Sequence, residues 1–193
     1  MFFTSLVCYL RFALLFGFIS SAVISCHNDQ PTKIKEEVIS QQLFRDSLPK
    51  PIGYVNDYEN IFSKSEIQSL DSLIRSFEKK TTIQIAIVTL SNTMATIDSF
   101  DNLTLRLAKY WGVGQKEKDN GVLIGFSASL SRIRIQNGYE IEEILSDHET
   151  SQIIETTFIP SYKKANYFEG TYNGLRVIMA LLEKRYKTIQ PAS

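Results

Sequence analysis

The run Val122-Leu123-Ile124-Gly125-Phe126 is the feature that most narrows what this chain can fold into. It has no helical period, and its length suits a strand covered on both faces. Ser131-Arg132-Ile133-Arg134-Ile135-Gln136 follows and alternates polar with apolar, the period of a strand with one wet face. The polar link at residues 127–130 is short enough for a hairpin, so the two strands pair antiparallel. The start of the first strand then lies beside the end of the second. Asp119 comes near Gly138, Tyr139 and Glu140, and Glu142 and Asp147 follow within a few residues. Carboxylates gathered at one sheet edge are the donors that a hard divalent cation takes. The plainer reading makes them solvated loop acids, with Asp147 helping to start a helix.

The segments before the hairpin supply a crossover. Tyr54-Val55-Asn56-Asp57-Tyr58 reads as a short extended lead-in. Ser63-Lys64-Ser65-Glu66 has capping-box spacing, and the helix it opens carries Ile67, Leu70, Leu73 or Ile74, and Phe77 on one stripe, ending near Lys80. Residues 83–90, Ile-Gln-Ile-Ala-Ile-Val-Thr-Leu, are rich in β-branched residues and predict a central strand. A second helix is expected over residues 98–111, burying Phe100, Leu103, Leu107 and Tyr110 or Trp111, and Gly112-Val113-Gly114 breaks it. Strand, helix, strand in this order predicts a parallel pair.

After the hairpin, Ser146-Asp147-His148-Glu149 repeats the capping-box spacing and opens a third helix with Ile153, Ile154 and Phe158, near whose end stands Pro160. Gly170 and Gly174 are expected to flank the start of a last helix, with Leu175, Ile178, Met179 and Leu182 buried and its end near Tyr186. The sum is an α/β fold: an α/β/α sandwich with a small mixed sheet of about four strands and helices on both faces.

The 193 residues hold 21 Lys and Arg against 21 Asp and Glu, so no basic footprint for nucleic acid exists. The two cysteines, Cys8 and Cys26, both stand near the N-terminus, which leaves the folded part without a disulfide. Two histidines, His27 and His148, are too few for a His-rich zinc site. Residues 1–25 are apolar with Arg11 the sole charge, and they read as a signal peptide. The run ends in Val23-Ile24-Ser25-Cys26, which resembles a bacterial lipobox with Cys26 as the lipidated residue. An uncleaved N-terminal anchor and a simple secretory signal are the competing readings. The first two tether the domain to a membrane outside the cytoplasm. Residues 26–52 are polar with Pro31, Pro49 and Pro51, and read as a flexible tether. The domain itself is expected over residues 53–187, with a disordered tail at 188–193.

Several segments together resemble the TPM domain family. They are V-N-D-Y-E-N-I-F-S at residues 55–63, Q-I-A-I-V-T at 84–89 and W-G-V-G-Q-K-E-K-D-N-G-V-L-I at 111–124. R-I-R-I-Q-N-G-Y-E-I-E-E-I-L-S-D at 132–147 and the I-P-S-Y and Y-F-E-G-T-Y-N-G segments within 159–174 complete the set. The resemblance implies an α/β/α sandwich, extracytoplasmic or thylakoid-lumenal and commonly membrane-tethered. It also implies three activities: a chloroplast branch linked to photosystem II repair and described as an acid phosphatase, bacterial members that bind calcium, and an animal branch that assists a membrane receptor. Carried over, the family's acidic positions are Asp57, Asp119, Glu142 and Asp147. Glu140 stands where the usual block has glycine, which adds a carboxylate and removes backbone freedom. Asp57 reaches the others only if the lead-in segment crosses the sheet edge.

Three functional readings follow. The first is a membrane-tethered accessory or interaction module of the cell envelope, with envelope proteins as partners, that binds a divalent cation, calcium more readily than magnesium. The second is a metal-dependent acid phosphatase using the same carboxylates, with Lys116, Lys118 or Arg134 on the phosphate. The third is a structural domain without metal.

Overall fold

The computed structural model describes residues 48–189. The leader, Cys26, the tether as far as residue 47 and the tail from residue 190 lie outside the described residues.

Four strands form one sheet in the order β1 (Val55–Asp57), β2 (Gln84–Thr89), β3 (Gly121–Ser127), β4 (Arg132–Asn137). The first two neighbouring pairs are parallel and β3–β4 is the expected antiparallel hairpin. All of β3 is buried, as its continuous apolar run requires.

Helix α1 (Lys64–Thr81) begins at the predicted cap: the Ser63 hydroxyl accepts from Glu66 N–H, and the Glu66 carboxylate accepts from Ser63 N–H at 2.7 Å. Leu70, Ile74 and Phe77 are its buried stripe. Helix α2 (Phe100–Trp111) ends at Gly112 in the left-handed region (φ 61°). The period of two along the strands then divides the interior. Ile85, Ile87, Val122, Ile124, Phe126 and Ile135 point to the face covered by α1 and the C-terminal helices. Ala86, Val88 and Leu123 point to the face covered by α2. Each fully buried branched or aromatic side chain contributes about 1.5–3 kcal/mol, so both faces need their cover. At Gly125 α2 packs tightly on the sheet, since a Cβ there would meet the Thr104 methyl group.

The helices α1 and α2 lie on opposite faces although the strand order runs steadily from β1 to β3. The two crossovers therefore differ in hand, and one departs from the right-handed rule. The rule arises from strand twist, and the three-residue edge strand β1 accumulates little of it.

Four details differ from expectation. A short helix α3 (Tyr139–Glu142) occupies the segment after β4, and it buries Ile141. The third helix, α4 (Asp147–Ile153), passes through a π-helical turn (Ile154–Phe158) into α5 (Ile159–Tyr162). Pro160 is the second residue after that turn and has no N–H to offer an α-helical bond. The last helix, α6 (Tyr167–Ile189), begins before Gly170 and continues past residue 187, so both glycines lie inside it. Their role is close approach: a Cβ at Gly174 would overlap the Phe158 ring, and one at Gly170 the Tyr162 ring. Finally, the chain is packed from Leu48, within the expected tether. Leu48 joins the α2 core, and Trp111 Nε1–H donates to the Pro49 carbonyl at 2.7 Å.

Candidate functional site

At the end of the sheet where β3 begins and β4 finishes, the backbone is drawn unusually close. Gly138 N–H donates to Gly121 C=O at 2.8 Å. A Cβ at Gly138 would overlap the Asp119 carbonyl oxygen, and one at Gly121 the Val113 carbonyl oxygen. The W-G-V-G, D-N-G and N-G-Y segments therefore meet at glycine positions, which is why they occur together in the sequence. Gly114 (φ 115°), Glu117 (φ 80°) and Asp119 (φ 49°) take left-handed conformations, so the loop between α2 and β3 is tightly wound.

An open cavity of about 660 Å³ lies between this loop, the C-terminal half of α2 and the start of α3. Asp119 and Glu142 both line it, with Asn137, Lys109, Lys116 and Tyr139. Asp119 and Glu142 are exposed, and Tyr139 is 77% exposed. The Asn137 amide donates to the Thr150 hydroxyl at 3.0 Å, while its buried Oδ1 has no hydrogen-bond partner among the described residues. Two carboxylate residues thus line a common space with two lysines, whereas the Asn137 side chain, on the same face as Ile135, turns away towards α4.

The other two predicted acids stand elsewhere. Asp57 pairs in register with Thr89, which pairs with Phe126, so it sits at the far end of the sheet. The five residue-to-residue steps from Gly121 to Phe126 span about 17 Å, so Asp57 does not join Asp119. Both its oxygens are engaged: Oδ1 accepts from the Thr89 hydroxyl at 2.6 Å and Oδ2 from Phe62 N–H at 2.8 Å. Asp147 is exposed in the first turn of α4, where a carboxylate complements the helix dipole, and it does not line the cavity. No group of three or more His, Cys, Asp and Glu placed to hold a metal ion occurs among the described residues. Glu140 lies outside the lining as well, and its buried Oε2 has no partner among the described residues. Lys118 and Arg134 are exposed, and neither lines the cavity; His148 is exposed on α4.

Two structural roles were not visible in the sequence. Asn120 is fully buried; its Oδ1 accepts from Gln115 N–H at 2.8 Å, and its amide donates to the Thr82 carbonyl at 3.2 Å. Glu59 accepts from Ala128 N–H at 2.8 Å, Ser129 N–H at 3.0 Å and the Ser129 hydroxyl at 2.7 Å, and so fastens the β3–β4 turn. The acids of the V-N-D-Y-E segment thereby organise the end of the sheet opposite the cavity. On the face opposite α2, α4 is joined to α6 by Arg185, which pairs with Glu149 at 2.7 and 3.0 Å and donates to the Ile144 carbonyl at 2.7 Å. The guanidinium, with the Ser146 amide and hydroxyl, lowers the Glu149 pKa to about 2.

A small α/β/α domain with an open cleft beside its hairpin is the class of protein these features define. The TPM domain profile matches residues 55–181, and the chain belongs to that family. Among solved structures, the N-terminal domain of a P. gingivalis protein is 28% identical. It covers 72% of this chain and 88% of its own, with a TM-score of 0.63. The BA42 protein of the psychrophilic bacterium Bizionia argentinensis is 24% identical and covers 67% of this chain and 86% of its own, with a TM-score of 0.56, a likeness of fold. No curated protein matches the sequence.

Proposed function

We propose that this TPM domain binds a divalent cation in the cleft between Asp119 and Glu142 and serves as a membrane-tethered accessory or interaction module of the bacterial cell envelope. The observation that carries the cation reading is the cleft that Asp119 and Glu142 line together. The donor set is oxygen alone, which favours calcium or magnesium over zinc or copper. Its members come from a wound loop and a short helix. Calcium's flexible shell of 6–8 oxygens suits such separated donors better than magnesium's strict octahedron. Two carboxylates leave much of that shell to water and backbone carbonyls, so the expected dissociation constant is weak, about 10⁻⁴–10⁻³ M. Lipidation at Cys26 would hold the module at the membrane, with the packed segment from Leu48 as the point where the tether meets the domain.

The test is a thermal-melt titration with calcium and with magnesium, run beside Asp119→Asn and Glu142→Gln. A saturable rise in Tm that both variants lose supports the reading. An unchanged Tm at millimolar metal refutes it. The second reading, a metal-dependent acid phosphatase, draws on Lys109 and Lys116, which line the same cleft and could meet phosphoryl oxygens. Phosphate release from a model ester that disappears in Asp119→Asn would favour it over the binding module.

A further inference from the structure

We infer that Gln84 and Asn120 are the positioning residues of the cleft: two side-chain amides that hold the loop carrying Asp119 in its wound conformation. The inference deepens the cation reading, since it names what sets the geometry of that site.

The loop from Gly112 to Asn120 projects from the sheet, and its charged residues are exposed. Apart from Val113, which packs on the α2 core, no apolar side chain of the loop is available to hold its conformation by burial. It is held from below. Gln84, on β2, accepts from Gly114 N–H through Oε1 at 2.9 Å and donates through Nε2 to Glu78 at 2.9 Å. Glu78 in turn accepts from the Tyr54 hydroxyl at 2.5 Å. Asn120 grips the same loop at Gln115 N–H and ties it to the Thr82 carbonyl just beyond α1. The Gln84 backbone N–H donates to the Asn120 carbonyl at 3.2 Å, so the two grips are themselves joined. Each amide uses a donor and an acceptor at once, a task that a carboxylate or a lysine cannot perform. Between the two fixed points, Gly114–Gln115 and Asn120, lie the left-handed Glu117 and Asp119. Left-handed non-glycine residues persist only where their surroundings over-determine them. Releasing either grip would let the loop relax and move the Asp119 carboxylate away from Glu142.

Asn120 is fully buried, so its substitution endangers folding; Gln84 is half-buried, and Gln84→Met keeps the length of the side chain while removing both bonds. Two readouts decide. The first is calcium affinity of the intact protein well below its Tm, with Ile74→Val in the core as a control for general destabilisation. Gln84→Met is expected to weaken calcium binding by about tenfold or more, the usual effect of removing a group that orients a ligand. Ile74→Val should leave affinity unchanged. The second readout needs no metal: amide hydrogen exchange of Gly114, Gln115 and Asp119 in calcium-free protein should accelerate in Gln84→Met and not in Ile74→Val. Wild-type affinity together with wild-type exchange in Gln84→Met would overturn the inference. If the wild-type protein binds no calcium, the cation reading fails, and unchanged exchange alone would then overturn the positioning role.

Discussion

Replacing Gly174 by alanine is expected to destabilise the protein, against the direction that helix propensity sets. Gly174 lies inside α6, where alanine gains roughly 1 kcal/mol over glycine. The added methyl group, however, would overlap three atoms of the Phe158 ring. That ring is fully buried and stands edge-on to Tyr162, with centroids 5.9 Å apart and an interplanar angle of 79°. It has no solvent to retreat into, and its displacement disturbs the Tyr162 contact as well. Overpacking of this kind costs about 1–3 kcal/mol, and a ring held on all sides belongs in the upper half of that range. The net loss is about 1–2 kcal/mol once the propensity gain is subtracted. A domain of this size should lose about 3–8 °C in Tm. Chemical denaturation of Gly174→Ala, Phe158→Leu and the double variant supplies a cycle. Because leucine removes the ring atoms in question, the pair should couple by at least about 0.5 kcal/mol in the relieving direction. A Gly174→Ala protein as stable as wild type, or more stable, would refute this reading of the glycine.

The remaining predictions concern ionised groups and the far end of the sheet. The Glu149 pKa is lowered to about 2 from the ordinary carboxylate value of 4.5, so its pairing with Arg185 stabilises the fold above about pH 4.5, and that contribution is lost as pH falls towards 2. Tm measured from pH 5 to pH 2 should therefore drop less in Glu149→Gln than in wild type; parallel curves would contradict the assignment. Glu59→Ala leaves the β3–β4 turn amides without their acceptor and should cost about 1–3 kcal/mol in denaturant unfolding while calcium affinity stays unchanged. Asp57→Asn is likewise expected to lower Tm through the Thr89 and Phe62 bonds and to leave calcium affinity as it was; a lost calcium response would place Asp57 in the cation site after all.

The strands and long helices were legible because each repeats a pattern over several residues. The capping boxes at Ser63 and Ser146, the stripe at Leu70, Ile74 and Phe77, and the continuous run in β3 all name their elements directly. Pairing β3 with β4 was enough to bring Asp119 and Glu142 to one end of the sheet. The hidden features lack such repetition or depend on distant partners. Helix α3 is four residues long, too short to display a period. Gly170 and Gly174 read as punctuation because the rings they accommodate belong to Tyr162 and Phe158, outside their own helix. Asn120 meets Thr82 across 38 positions and Glu59 meets Ala128 across 69, so neither role exists until the sheet has closed. Asp57 matched an acidic motif, but the parallel register of β1 on β2 carried it to the opposite end.

The most direct measurement is a calcium titration followed by backbone amide chemical shifts. Binding between Asp119 and Glu142 predicts saturable shifts confined to residues 112–120 and 136–143, with residues 55–62 and the β3–β4 turn unmoved. Shifts centred on Asp57 and Phe62, or none at millimolar calcium, would contradict the account.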